Sequence, residues 1–310
     1  MNTSLGSTTI LSESEVRRSH LIARIKWYLR GALITTIGIV IMVVVAFPNL
    51  WLLSTSFKTN DDSWAIPPQY IPLRPTLESY GYLFGGADTS GRSRELQHWY
   101  VYFVNSIIVA TIPAVVATAI STLAGYGFAR FKFPGATFLL TLLLVGQMFP
   151  GPSLFVPIYF MVNSLGLYDS LLALIIIYTA FHIPVGTWLS NGFIRSIPLE
   201  LEDSARIDGC NLLQTLLYIA LPLAKIGILT VALMGFMAFW GEFGFASIIL
   251  EDRYKYTATL AMMRQITETT STFTVIGAAA TLMGLPLLLF LLFAQKSFVR
   301  GLAAGALKES

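Results

Sequence analysis

The side chains best placed to act together stand in one stretch, Ser196-Ile197-Pro198-Leu199-Glu200-Leu201-Glu202-Asp203-Ser204-Ala205-Arg206-Ile207-Asp208-Gly209. Its carboxylates are spread along a short segment that reads as a helix, so their chemistry is helix capping and recognition rather than proton transfer. Ser196 is the expected N-cap and Pro198 suits a first turn. Glu200, Glu202 and Asp203 follow at the positive end of the helix dipole. Gly209 falls where a left-handed C′ residue would stop the helix. Leu201, Ser204 and Ala205 share one small, mildly apolar face, suited to a groove in another protein. Asp208 can accept hydrogen bonds from the backbone or from a partner.

Other chemistries lack their residues. There is no Gly-x-x-x-x-Gly-Lys-Ser/Thr sequence, so a P-loop for nucleotide phosphates is excluded. Neither Gly-x-Ser-x-Gly nor His-Glu-x-x-His occurs, and no catalytic residue is assigned. His20, His98 and His182 are far apart, and Cys210 is alone, which argues against a metal site. A net charge of +3 with no basic cluster among aromatics gives no reason to expect nucleic acid.

The elements that hold this segment are apolar. Hydrophobic residues make up 55% of the chain and charged residues 12%, about half the charged share of a soluble domain. Runs of about 20 apolar residues cross a bilayer, and six are found, at roughly 32–54, 101–128, 136–159, 171–190, 217–240 and 273–293. The fold class expected is all-α, with six transmembrane helices, between a tail at 1–31 and another at 296–310. Phe149-Pro150-Gly151-Pro152 breaks the third run, leaving 150–168 as either a re-entrant piece or the end of a long tilted helix. Arg17, Arg18, Arg24, Lys26, Arg30, Arg130, Lys132, Arg195, Arg206, Lys296 and Arg300 place both tails and 195–222 on the cytoplasmic side. The segments 58–100 and 244–272 then lie outside, and 58–100 reads as an ordered loop with little regular structure.

The inner loop resembles the Glu-Ala-Ala loop of ABC importer permeases. Asp203-Ser204-Ala205 is followed after three residues by Gly209, then after nine by Ile219-Ala220-Leu221-Pro222, the family's spacing with Asp and Ser replacing Glu and Ala. Asn105-Ser106, Ala129-Arg130-Phe131-Lys132-Phe133-Pro134-Gly135, Arg206-Ile207-Asp208-Gly209 and the tail from Gly301 to Lys308 resemble the carbohydrate-uptake branch, in particular its maltose-type second permease. At Trp240-Gly241-Glu242-Phe243 the chain lacks the Asn that this branch tends to place before the acidic residue.

The resemblance implies the type I importer permease fold, with Glu202, Asp203, Ser204, Ala205, Arg206, Asp208 and Gly209 forming a coupling helix for a separate ATPase. It also implies a second permease, an ATPase dimer that carries ATP and magnesium, an extracytoplasmic binding protein, and a bacterial or archaeal cytoplasmic membrane. This chain itself would bind no cofactor. A neutral sugar, polyol or glycerol-phosphate compound is the expected solute, because the predicted spans offer amides and aromatic faces but few charges. Asn105, Gln147, Tyr178 and Trp240 are candidate lining residues. Glu242 reads either as a pathway residue or as the solvated end of the fifth span. A non-carbohydrate importer and a stand-alone secondary transporter are the alternatives; the latter would need internal repeats, which the sequence lacks.

Overall fold

A computed structural model describes residues 13–85, 96–268 and 273–306. The first twelve residues of the expected N-terminal tail, part of the expected outer loop at 86–95, and Lys308 of the C-terminal tail lie outside the described residues. Among the described residues every regular element is helical, as the apolar runs predict.

Helix α1 (Glu13–Ser56) is followed by two short helices, α2 (Asn60–Ser63) and α3 (Glu78–Leu83), in the otherwise irregular 58–85 segment. The α1 run ends at Lys58, whose ammonium lies 4.0 Å above the ring of Trp51. Helix α4 (Trp99–Arg130) packs chiefly against α7 (Leu171–Arg195) and next against α10 (Leu221–Trp240), while α1 runs along α13 (Phe273–Ala306). Small residues allow the α4–α7 approach. A Cβ on Gly125 would stand 2.7 Å from Ser190 Cβ, and one on Gly186 would stand 2.5 Å from Ser121 Oγ, so the helices meet backbone to backbone as membrane helices do.

Lys26–Ser56, Trp99–Arg130, Leu171–Arg195 and Leu212–Trp240 are each long and apolar enough to cross a membrane. The third expected crossing is not one helix. Helix α5 (Ala136–Val145) and helix α6 (Phe155–Ser164) are joined through 3₁₀ turns at Gly146–Met148 and Gly151–Leu154. The two arms meet at 91°, so 150–168 is not the end of a long tilted helix. Pro150 and Pro152 supply no backbone donors there, which is why the ladder stops. Helix α13 has a shorter described apolar stretch, Phe273–Leu289.

The fifth crossing contains a second irregularity. Helix α9 (Leu212–Thr215) continues into α10 through a π-helical turn at Leu216–Ala220. That wider turn sits immediately before Pro222, where an α-helical hydrogen bond to Tyr218 would be missing. The segment expected outside after α10 is folded, as α11 (Gly244–Ile249), a 3₁₀ turn at Arg253–Lys255 and α12 (Ala258–Glu268).

Candidate functional site

The acidic segment forms helix α8 (Leu199–Ile207), at the end of the bundle where α4 and α7 terminate. Its N-terminus differs from expectation. The flanking residue is Pro198, with no side-chain cap. Ser196 is still part of the α7 terminus, and its hydroxyl donates back to the Phe193 carbonyl at 2.7 Å. The first-turn acids Glu200 and Glu202 supply the negative charge that such an uncapped end favours. The C-terminus is as expected. Gly209 has φ +92°, its N–H bonds to the Arg206 carbonyl, and the Cys210 N–H bonds to the Ala205 carbonyl at 3.0 Å. These two bonds complete a Schellman motif, in which only glycine is unstrained at the left-handed position.

What fastens α8 to the bundle is a buried charge. Glu202 is fully buried. Its Oε1 accepts from Arg130 Nε at 2.7 Å, and its Oε2 accepts from the Tyr126 hydroxyl at 2.9 Å. Arg130 also donates through Nη2 to the Ile197 carbonyl at 3.1 Å. Tyr126, Ile194, Ile197, Leu216, Ala220 and Ala224 pack as an apolar cluster at this end. A carboxylate in such surroundings is tolerable only when both oxygens are bonded and its charge is paired.

This arrangement corrects the face drawn for α8. Ala205 is buried beside Glu202, whereas Leu201, Asp203, Ser204, Arg206, Ile207 and Asp208 are exposed. Ile207 is 87% exposed, an unusual position for an isoleucine in a self-contained fold. Asp203 and Arg206 approach only to 3.7 Å across exposed positions, a contact worth little in water, so both remain available to a partner. Sequence spacing alone does not join Arg130 and Tyr126 to this site. No local signal in the acidic run marks them, because the partner that distinguishes Glu202 lies 72 positions away in Arg130.

Of the candidate lining residues, Tyr178 and Glu242 are brought into contact and Trp240 shares a buried cluster with Tyr178, whereas Asn105 and Gln147 are held to other segments. Each bonds across elements. Asn105 is buried, and its Nδ2 donates to the carbonyls of Tyr254 and Tyr256 at 2.9 and 3.0 Å. Beside it, Ser106 Oγ accepts from the Ala258 N–H at 2.8 Å. Gln147 Nε2 donates to the Phe181 carbonyl at 2.8 Å, on the α7 turn that Pro184 loosens. Trp240 is buried, and its Nε1 donates to the Met283 carbonyl at 3.0 Å. Tyr178 stacks on Phe239 with centroids 4.9 Å apart and donates its hydroxyl to Glu242. Glu242 follows the end of α10 and accepts from the N–H groups of Phe245 and Ala246 at 2.7 and 3.3 Å. It therefore serves the first turn of α11, a role that neither reading of its sequence position contained.

The end of the bundle opposite α8 has its own ion pair. Asp169 Oδ2 accepts from Lys255 Nζ at 2.6 Å, while Oδ1 accepts from the N–H groups of Glu251 and Asp252. Burial alone would raise the Asp169 pKa, but Lys255 and the two amides outweigh it and hold the carboxyl below its usual range. The Lys255 ammonium is correspondingly raised, chiefly by its hydrogen bond to Asp169.

Comparison with known proteins places this architecture. Residues 117–304 match the family described as binding-protein-dependent transport system inner membrane component. A probable ABC transporter permease protein of Bacillus subtilis, YurM, is 32% identical over 289 residues, covering 92% of this chain and 91% of that protein. The galactooligosaccharides transport system permease protein GanQ of the same organism is 33% identical, covering 86% and 91%. The fold matches a solved bacterial ABC transporter involved in the import of the acidic polysaccharide alginate, with TM-score 0.70 and 19% identity, over 93% of this chain and 99% of that one. With its bundle of apolar helices and its short capped helix between α7 and α10, the chain belongs to the inner membrane components of binding-protein-dependent ABC transport systems and is a non-catalytic permease subunit.

Proposed function

We propose that this chain is one of two different permease subunits of an ATP-driven importer in the cytoplasmic membrane of a bacterium or archaeon, with both termini inside. An extracytoplasmic binding protein delivers a sugar, and a separate ATPase dimer holding ATP and magnesium supplies the energy. The observation that carries the reading is α8. It is short, stopped by Gly209, anchored by a buried pair, and presents Leu199, Leu201, Ile207, Asp203 and Asp208 outward. Such a surface suits a groove in a soluble partner, apolar at its floor and with donors at its rim.

The solute class has two supports. Relatives include permeases for galactooligosaccharides in Bacillus subtilis and for trehalose in Mycobacterium tuberculosis, the latter 30% identical. The spans are also poor in charge, whereas an anionic solute calls for arginine or lysine facing the pathway. A neutral di- or oligosaccharide is favoured, with polyols next, whereas a glycerol-phosphate compound is anionic and draws no support from the scarcity of charge. The test is ATP hydrolysis by the reconstituted complex with its binding protein, across a panel of solutes. Stimulation by a saccharide or glycerol derivative is expected. Stimulation by peptides or amino acids alone would overturn the sugar assignment.

A further inference from the structure

Besides its packing against α9 and the turn at Leu216–Ala220, three tethers hold α8. Two are the chain itself, through 196–198 from α7 and through 208–211 to α9. Both are short turns held by neutral backbone bonds, the second closed by the Gly209 and Cys210 N–H groups, and neither carries a buried charge. The third is the side-chain joint to α4. To slide α8 across the α4 terminus, Glu202 must lose Arg130 and Tyr126, and Arg130 must lose the Ile197 carbonyl, all inside an apolar cluster. An uncompensated buried charge is among the more costly states a protein can adopt. The joint is also specific in direction, because a guanidinium bonded through Nε and Nη2 to two acceptors fixes orientation as well as distance.

We infer that Arg130, Glu202 and Tyr126 are positioning residues that make α8 and the adjoining terminus of α4 a single body, so that a displacement of α8 enters the membrane first through α4. The inference rests on the reading of α8 as the ATPase-docking helix. Helix α4 suits the role, since it packs along α7 and α10, and its far end holds the 254–258 segment through Asn105 and Ser106. The distance between those two grips is about 36 Å at the helical rise per residue.

The test uses the full complex in lipid, in a Cys210→Ser background. Spin labels at Asp203→Cys and Lys132→Cys, both exposed positions, report the separation of α8 from the end of α4. The expected result is one narrow distance, unchanged between the nucleotide-free and ATP-trapped states. In Glu202→Gln, which keeps a partner for Tyr126 but removes the charge, the distribution broadens. Uptake per ATP hydrolysed then falls about tenfold, within the range by which linking residues modulate coupling. Arg130→Lys, which keeps the charge but not the double bond, gives an intermediate loss.

A residue needed only for folding would reduce the amount of complex and leave uptake per ATP intact in what assembles. That result overturns the inference. So does a distance that shifts between the two states in the labelled protein with an intact joint, and this measurement needs no change at Arg130, Glu202 or Tyr126. A Ser204→Cys cross-link to the ATPase separates the two layers. If it forms while Glu202→Gln couples normally, only the α4 joint is wrong. If it never forms, the docking reading fails and the joint has nothing to transmit.

Discussion

Two carboxylate–cation pairs stand at opposite ends of the bundle with almost the same geometry. Glu202 meets Arg130 at 2.7 Å, and Asp169 meets Lys255 at 2.6 Å. Distance does not rank them, but surroundings do. The side chains of Glu202 and Arg130 are 0% and 4% exposed, those of Asp169 and Lys255 21% and 41%. Water screens the second pair and solvates whatever is left when it opens. Nothing solvates the first. The α8 end is therefore built so that breaking one contact is heavily penalised. The opposite end spreads its hold over neutral hydrogen bonds from Asn105 and Ser106 and an exposed ion pair.

The largest effect expected is at the buried pair. Arg130→Ala leaves Glu202 buried without its cation, and breaking such a pair costs about 3–5 kcal/mol. The thermal midpoint of the purified subunit should drop sharply. The double change Arg130→Met with Glu202→Leu should recover most of the loss, because a buried pair can often be replaced by apolar groups of similar volume. A single Arg130→Ala variant as stable as wild type would show that water reaches Glu202 and would remove the contrast between the two ends.

That contrast was only partly legible in the sequence. The run Glu200-Leu201-Glu202-Asp203, with Gly209 as stop, gave α8 and its C-terminus because capping is local chemistry. Which of those acids turns inward was not legible. Glu202 and its neighbours are alike as letters, and the partner that distinguishes Glu202 lies 72 positions away in Arg130. Arg130 itself read as one more positive charge closing a span. Ser196 reads as an N-cap for a related reason: a serine near a helix start is also near the previous helix end, and here its hydroxyl bonds backwards to Phe193. The polar residues inside the spans, Asn105, Gln147, Tyr178 and Trp240, are legible as polar in the sequence, but the backbone carbonyls and the carboxylate that they bond are not. The 91° break at Phe149-Pro150-Gly151-Pro152 was visible as a break and not as an angle.

A middle-sized effect tests the neutral joint. Asn105→Ala removes the donor to the Tyr254 and Tyr256 carbonyls, and because these groups are only partly buried the loss should fall near the lower end of the cost of an unmatched group, about 1 kcal/mol. The loss should be local. Hydrogen exchange is expected to rise across Tyr254–α12 and to stay unchanged in α8, since Ser106 continues to hold Ala258. Equal deprotection of α8 would mean that the two ends are coupled through α4 even at rest, and the comparison would have to be redrawn as one joint rather than two.

The smallest effect belongs to the exposed pair, and pH isolates it. The Asp169 carboxyl is held below its ordinary range by Lys255 and the N–H groups of Glu251 and Asp252. A carboxyl with a lowered folded-state pKa contributes stability above its unfolded value, about 4, and loses that contribution as pH falls through the folded value. Wild type should therefore be slightly more stable than Asp169→Asn at neutral pH, and the difference should shrink on acidification below about 4. High salt should reduce it as well, because these side chains are open to screening. Asp169→Asn retains a carbonyl oxygen for the Glu251 and Asp252 amides, so what it removes is the charge. The absence of any gap between wild type and variant at neutral pH and low salt would assign the role of Asp169 to backbone capping alone, and would leave the Glu202–Arg130 joint as the one of the two pairs in which charge matters.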